Sequence, residues 1–271
     1  MSATLPAPAR PRERELEAAW RRHEPLRAKI PYQARRAAEQ FRDSIAGDAE
    51  RVRLTYRSAP FRRILADWAK AASLGRSQAI QRLASALSPA FVDVADGALR
   101  LLWLESYAER LTLIDDPRYD QPAVLIVGAL VKRTGRSLGA ANGFPCVEVS
   151  EHSLRRLYER APQVDAKAAL FEAARAFLAA DYRIVEEKRL RGDTLCLRCG
   201  PGLLLTEVLY CADRQDKPRL FSRANTWISW LTAENDQRPI VKAADPSVSV
   251  LAMVASGGGM SDAGSTAARP I

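Results

Sequence analysis

The sequence predicts an α+β fold, with a helical N-terminal domain followed by a small domain of two helices and an antiparallel meander. Apolar residues recur at helical spacing from Glu13 to about Ile114. Strand-like runs follow one another in quick succession from Tyr182 onward, and a short turn at Gly200-Pro-Gly202 separates two of them. With 271 residues and 47% hydrophobic content, the chain is long enough to bury two modest cores.

The domain boundaries follow from changes in composition along the chain. Residues 1–12 hold three prolines and predict a disordered lead, and the Gly- and Ser-rich residues 253–271 predict a disordered tail. Between them, the pattern predicts a helical basic domain over residues 13–135 and an α+β domain over residues 140–252.

Each predicted N-terminal helix carries an apolar stripe, and Pro31, Pro60 and Pro89 punctuate the helices as boundary residues. The stripes are Ala34-Ala37-Ala38-Phe41-Ile45, Phe61-Ile64-Leu65-Trp68, Ile80-Leu83-Ala84-Leu87 and, from near Asp96, Leu101-Leu104-Tyr107-Leu111. Asp120 is a suitable N-cap, and Pro122 would lie in the first turn of the helix that follows it. This pattern predicts a buried helix over residues 121–132.

The predicted second domain opens with an extended segment, Phe144–Val149, and two capped helices. Ser150 is a suitable N-cap for a helix over residues 151–161, and Asp165 caps the next helix. The buried stripe of that helix is Leu170-Ala174-Phe177-Leu178. The predicted strands are Tyr182–Arg189, Thr194–Cys199, Leu203–Cys211 and Leu220–Trp230, with a turn at Arg191-Gly-Asp193.

The net charge of +9 is concentrated at the N-terminus, where residues 1–63 hold 15 Lys and Arg against 8 Asp and Glu. A localised basic excess is typical of proteins that contact RNA or DNA, because neutralised phosphates release counterions. The predicted nucleic-acid-binding residues are Arg35, Arg36, Arg42, Arg53, Arg57, Arg62 and Arg63. A salt-bridged helical exterior in an arginine-rich chain (34 Arg, 7 Lys) explains the same pattern.

Several function classes are disfavoured by what the sequence lacks. No apolar run is long enough to cross a bilayer, and the N-terminus has no apolar core of a signal peptide. We therefore predict a cytoplasmic protein with no membrane partner. No phosphate-binding loop, dinucleotide-binding glycine motif or serine nucleophile elbow is found, which disfavours nucleotide hydrolysis and acyl transfer.

The four cysteines include one Cys-x-x-Cys motif, Cys196 and Cys199, in a strand-like segment. Zinc sites usually need a second ligand pair at short spacing, whereas Cys146 and Cys211 are isolated. We therefore predict buried, reduced thiols, with no metal and no cofactor.

The segment with the clearest chemical potential is the helix that follows Ser150. His152, Arg156 and Arg160 share one face of it, and an imidazole beside guanidinium groups suits cleavage of a phosphate ester. Ion pairs at four-residue spacing, with Arg155 between Glu151 and Glu159, explain the same face as an ordinary solvated surface.

This helix, the next helix and the meander are similar to small ribonuclease toxins of the RelE and barnase–EndoU–colicin type, over about residues 145–232. The resemblance rests on His152, Arg156, Arg160 and the strand Ser222–Ser229. It implies RNA cleavage without a metal, with His152 as general acid or base and the two arginines holding the phosphate. Asn225 and Thr226 are the candidates for orienting the attacking 2′-hydroxyl.

Two other functions remain open from the sequence. Residues 66–84 place a glycine between two short helical segments, and Arg76, Ser77, Gln78 and Gln81 begin the second one. This arrangement is typical of a DNA-binding helix-turn-helix, although such corners are common in helical domains. The remaining alternative is a non-catalytic scaffold whose helical domain binds another protein.

Overall fold

The computed structural model describes residues 31–70, 73–95, 97–107, 122–134, 137–186, 194–212, 218–230, 250–254 and 267–270. The predicted lead over residues 1–12 and the predicted turn Arg191-Gly-Asp193 lie outside these ranges. Among the described helices, none combines the length and the apolar character that a membrane span needs.

Five helices occupy the described ranges: α1 (Pro31–Arg57), α2 (Ala59–Lys70), α3 (Ser73–Leu87), α4 (Glu151–Arg160) and α5 (Ala166–Glu186). The proline boundaries are confirmed, because Pro31 begins α1, Pro60 lies in the first turn of α2 and Pro89 follows α3. The predicted caps are confirmed as well. Ser150 precedes α4, and the amide of Ala168 donates to Oδ1 of Asp165 at 3.0 Å.

Nine strands within the described ranges form one mixed sheet, which together with the helices confirms the α+β class. The strands are β1 (Phe91–Ala95), β2 (Ala98–Tyr107), β3 (Ala123–Thr134), β4 (Ser137–Ser150), β5 (Thr194–Cys199), β6 (Gly202–Ala212), β7 (Pro218–Ser229), β8 (Val250–Val254) and β9 (Ala267–Pro270). Their order in the sheet is β1-β2-β3-β4-β7-β6-β5-β8-β9.

The sheet consists of two antiparallel halves joined at a single parallel pairing. On one side of the join are β1 to β4, and on the other are β7, β6, β5, β8 and β9. At the join, Val147–Val149 of β4 pairs in parallel with Ser222–Ala224 of β7. The crossover between these two strands contains α4 and α5, as a parallel connection requires.

Strands β2 and β3 of the first half are buried on both faces. Leu102 and Leu104 pack in the core cluster that contains α4 and α5, whereas Leu101 and Trp103 pack in a second cluster with α2 and α3. Helix α1 contributes to both clusters, through Ala38 and Ile45 to the first and through Val52 to the second. This helix is therefore integral to both cores.

Burial on both faces explains two wrong predictions. The helix predicted from near Asp96 is instead strand β2, and the helix predicted over residues 121–132 is strand β3. A strand covered on both faces is apolar at most positions, so the two-residue alternation that distinguishes a half-buried strand is missing. The helical spacing of Leu101, Leu104 and Tyr107 was a coincidence within such a run.

Two further predictions need correction. A strand was predicted over Tyr182–Arg189, but its first five residues, up to Glu186, belong to helix α5. The helix continues this far because no glycine or proline interrupts Ala166–Glu186. In the predicted disordered tail, Ala267–Pro270 forms strand β9, which pairs with β8. The backbone hydrogen bonds of an edge strand do not depend on an apolar composition.

The hairpin of β3 and β4 crosses the domain boundary predicted between residues 135 and 140, with Thr134 paired to Ser137. Residues 13–135 include strands β1 to β3 beside the helices. The division into two domains stays a prediction, and the continuous sheet weighs against it.

Candidate phosphate-binding cleft

Helix α4 begins directly where β4 ends, and Ser150 fixes that junction. The Oγ of Ser150 accepts a hydrogen bond from the amide of Ser153 at 3.2 Å, and its backbone is extended, as expected of an N-cap. The amide of Glu151 donates to the carbonyl of Pro122 at 3.0 Å. These bonds hold Glu151 and His152, the first two residues of α4, at the edge of the folded core.

The opposite side of α4 is anchored on β7. The Oγ of Ser153 donates to the carbonyl of Ala224 at 3.1 Å, and Nη1 of Arg160 donates to the carbonyl of Trp227 at 3.4 Å. Leu154 and Leu157 of the same helix are buried. With these residues turned inward, His152 is exposed, as the sequence predicts.

Helix α1 packs beside α4 through one ionic and one aromatic contact. Nη2 of Arg42 lies 3.4 Å from Oε2 of Glu151, and both side chains are mostly buried. The rings of Phe41 and Tyr158 meet edge to face, with their centroids 6.4 Å apart. These contacts bring the N-terminal half of α1 next to the first turn of α4.

Between the two helices lies an open cleft of about 460 Å³, called here the α1–α4 cleft. It is lined by Arg35, Pro122, Glu151, His152 and Arg155. The cleft therefore joins one arginine of the basic N-terminal segment to the histidine of α4. The sequence predicted these two residues to act in separate domains.

One arginine of the cleft, Arg155, and one beside it, Arg42, each have a buried Nε atom that forms no hydrogen bond with any described residue. The side chain of Arg35 is 61% exposed, with Nε 3.0 Å from Oε1 of Glu39. Arg35 and Arg155 line the same cleft, and two guanidinium groups at one cleft favour an anionic group as a ligand.

The surroundings of His152 lower the pKa of its imidazole and so favour the neutral form. Partial burial of the ring lowers the pKa of His152 below its ordinary value, and the guanidinium groups of Arg156 and Arg155 lower it further. Glu159 acts in the opposite direction. A neutral imidazole at neutral pH is able to accept a proton.

The other predicted catalytic residues occupy different surroundings. Arg156 forms an ion pair with Glu159 at 3.0 Å, and Arg160 bonds to β7 as described above. Asn225 is exposed and is the extra residue of a β-bulge in β7, and Thr226 beside it is half-buried. Among the described residues, the cleft lining includes none of these four.

The sequence reasoning missed Glu151 and Arg155 as site residues. Both belong to the charged pattern that predicts a solvated surface, and their spacing carries no sign of a neighbouring helix. Only the packing of α1 against α4 makes them line a cleft.

Two arginines of the predicted nucleic-acid-binding set are paired with carboxylates in the structure. Arg42 is held by Glu151, and Nε of Arg53 donates to Oε1 of the buried Glu105 at 2.8 Å. Six arginines of the set are exposed, namely Arg35, Arg36, Arg53, Arg57, Arg62 and Arg63. Their contact with nucleic acid stays a prediction.

The region predicted as a helix-turn-helix comprises α2 and α3, but the glycine turn is misplaced. Helix α3 begins at Ser73, so Gly75 lies inside the helix instead of between the helices. Ser77, Gln78 and Gln81 are exposed, and the side chain of Arg76 lies outside the described part.

Cys146, Cys196 and Cys199 are buried free thiols, as predicted. Burial raises the pKa of Cys196 to about 12, and burial also raises the pKa of Cys199. Within the described ranges, no three His, Cys, Asp or Glu side chains are grouped to hold a metal ion.

Comparison with known proteins adds no assignment to this geometry. No family model, no curated protein and no solved structure matches the chain. The similarity of residues 145–232 to ribonuclease toxins stays a prediction from the sequence.

Proposed function

We propose that this protein binds nucleic acid and holds a backbone phosphate in the α1–α4 cleft. The observation that carries this proposal is that Arg35 of α1 and Arg155 of α4 line one cleft together with His152. A guanidinium presents its donors as a planar fork that matches phosphate oxygens. The basic excess of residues 1–63 supplies the longer-range attraction for a polyanion.

The test is the salt dependence of binding to fluorescein-labelled RNA and DNA oligonucleotides of the same sequence. Arg35→Gln and Arg155→Gln should each weaken binding and should reduce the slope of log K against log salt by about 1, because each removes one phosphate contact. Arg51→Gln is the matched control. It removes an equally exposed arginine of α1 that pairs with Asp48 and does not line the cleft.

Two results would reject this proposal. One is the absence of salt-sensitive binding by the wild-type protein, and the other is an equal effect of Arg51→Gln and the two cleft variants. Point variants are preferable to deletion of residues 1–63, because that deletion would remove Ala38, Ile45 and Val52 from the two cores.

A second activity of the same site is cleavage of bound RNA without a metal, with His152 as the general base. The lowered pKa of His152 favours this role, because a neutral imidazole can take the proton of a 2′-hydroxyl. The 2′-oxygen attacks the adjacent phosphorus, and the bond to the 5′-oxygen breaks as that oxygen takes a proton from water, which yields a 2′,3′-cyclic phosphate and a 5′-hydroxyl end. Guanidinium groups stabilise the charge of the phosphorane.

Two versions of this mechanism differ in their phosphate ligands. In the version drawn from the sequence, Arg156 and Arg160 hold the phosphate, and Asn225 and Thr226 orient the 2′-hydroxyl. In the version drawn from the cleft, Arg35 and Arg155 hold it. A greater loss of rate in Arg155→Gln than in Arg156→Gln would favour the second version.

The deciding measurement is cleavage of end-labelled RNA in excess chelator. His152→Ala should lower the rate by roughly 10²–10⁴-fold, the usual contribution of a positioned proton-transfer group. Clean wild-type protein that leaves the RNA intact, or equal cleavage by both proteins, would reject catalysis and leave nucleic-acid binding as the function.

A further inference from the structure

Tyr32, in the first turn of α1, is an aromatic residue left in solvent. It is 75% exposed, more than Leu54 and Val94, which are the other exposed large hydrophobic residues of the described part. A single exposed apolar residue is ordinary in a folded protein. The position of this ring relative to the cleft is what sets it apart.

Arg35 follows Tyr32 by three residues, which is one turn of the helix. The two Cα atoms are therefore separated by about 4.5 Å along the axis and by about 60° around it. The side chain of Arg35 turns the other way along the helix, because its Nε lies 3.0 Å from Oε1 of Glu39, one turn further on. Tyr32 thus lies one helical turn before a residue that lines the α1–α4 cleft, on the side away from Glu39.

We propose that Tyr32 stacks on an unpaired base of a single-stranded nucleic acid whose phosphate occupies the α1–α4 cleft. This inference rests on the function proposed above and adds the substrate class. Aromatic side chains next to cationic grooves are the usual platform for single strands, because every base presents a π-face. In a duplex the faces of the bases are already stacked on one another, so a surface tyrosine cannot reach them.

Charge complementarity selects this occupant over an apolar surface of another protein. Arg35 and Arg36, at three and four residues from Tyr32, are the neighbours of its ring on the helix surface, and both are exposed. A base is joined to its phosphate through the sugar. One strand can therefore present a base to Tyr32 and a phosphate to the α1–α4 cleft.

The experiment compares binding of an unstructured RNA of about 12 nucleotides, within the usual site size for single strands, with binding of its duplex. The wild-type protein should prefer the single strand. Tyr32→Ala should weaken single-strand binding by about 10-fold and leave duplex binding unchanged, because one stacked base is lost. Tyr32→Phe should retain wild-type affinity, since its ring can still stack.

Two controls separate stacking from other effects. Leu54→Ala removes another exposed apolar side chain from α1, away from the cleft, and should not change binding. Tyr32→Ala should leave the salt dependence of binding unchanged, whereas Arg35→Gln should reduce it. Circular dichroism should show that Tyr32→Ala folds as the wild type does, because the side chain is exposed.

The outcomes distinguish this inference from the function on which it rests. Wild-type affinity of Tyr32→Ala for the single strand, together with weak binding by Arg35→Gln, would reject stacking and keep the phosphate site. Equal affinity of the wild-type protein for the single strand and the duplex would likewise reject stacking and keep the phosphate site. If Tyr32→Ala changed only self-association in light scattering, Tyr32 would be a contact between copies of the chain. Absence of salt-sensitive binding by the wild-type protein would reject both proposals.

Discussion

Glu148 and Arg223 face each other across the only parallel strand pairing within the described sheet. Nε and Nη2 of Arg223 donate to the two carboxylate oxygens of Glu148 at 2.9 and 3.1 Å, and the side chains are only 4% and 9% exposed, respectively. The two residues are direct register partners in β4 and β7. This ion pair therefore joins the two antiparallel halves of the sheet where their pairing is only three residues long.

The same join determines where the cleft lies. Glu148 is two residues before Ser150, which caps α4, and Arg223 is one residue before Ala224, whose carbonyl accepts from Ser153. The orientation of α4, and with it the position of His152, thus depends on the contact between β4 and β7.

Removal of one partner of this buried pair should be costly. Glu148→Gln and Arg223→Met should each lower the free energy of unfolding by about 3–5 kcal/mol, because each breaks the buried charge-assisted hydrogen bonds between the two side chains. The double variant Glu148→Leu/Arg223→Leu should lose less than the two single changes combined. Urea denaturation measures each value.

The exposed pair of Arg51 and Asp48 is the control for this experiment. Arg51→Gln should change the free energy of unfolding by less than about 1 kcal/mol, as is usual for surface ion pairs. A loss of similar size in Arg51→Gln and Arg223→Met would contradict the role assigned to the buried pair.

The pKa of His152 should be measurable by NMR and should lie below the ordinary value of 6.5. Arg156→Gln should raise it, because a positive neighbour is removed, and Glu159→Gln should lower it further. The sequence contains one other histidine, His23, and His152→Gln assigns the two resonances. A pKa above 6.5 would show that the arginines do not govern this imidazole.

The same shift has a consequence for stability. As pH falls through 6.5, the unfolded chain binds this proton before the folded chain does, so the free energy of unfolding decreases. At higher pH both states hold a neutral ring and the contribution of His152 is constant. His152→Gln should therefore reduce the loss of stability on acidification, as followed by urea denaturation at a series of pH values.

Gly202, at the start of β6, lies where no side chain can be accommodated. A Cβ atom there would overlap the carbonyl oxygen of Ile228 and the ring of Trp227, both of which are buried. Gly202→Ala should therefore destabilise the fold by roughly 1–3 kcal/mol or more, as overpacking does. Thermal unfolding followed by circular dichroism measures this loss.

Gly47 provides the opposite comparison. It lies inside α1, and a Cβ atom there would meet nothing within 4 Å. Gly47→Ala should stabilise the protein by about 0.5–1 kcal/mol, because alanine is the better helix former. If both glycine variants shifted the unfolding temperature in the same direction, the packing described around β6 would be wrong.

The thiol of Cys196 should be unreactive in the folded protein. Its pKa of about 12 leaves almost no thiolate at pH 8, and its side chain is buried in β5. Iodoacetamide labelling followed by peptide mass spectrometry should find Cys196 unmodified in buffer and modified in guanidinium chloride. Rapid labelling without denaturant would show that β5 is not protected as described.

Local signals in the sequence were sufficient for part of this fold. Ser150 and Asp165 predicted the starts of α4 and α5, because capping depends on a side chain and amides only three residues away. The turn at Gly200 followed from its neighbours for the same reason, and its φ of 57° is one that glycine adopts without strain. Strands β2 and β3 were missed because burial on both faces removed their alternation.

The chemistry of single residues was likewise readable from the sequence, whereas their grouping was not. Two histidines, an arginine-rich N-terminus and a charged helix face predicted that His152 and the arginines were the residues to consider. That Arg35 and His152 line one cleft, and that Arg42 holds Glu151, depends on the packing of α1 against α4. Such contacts join residues far apart in the chain through burial of apolar surface, which is non-directional and leaves no local pattern at either residue. Only the tertiary structure decided the site.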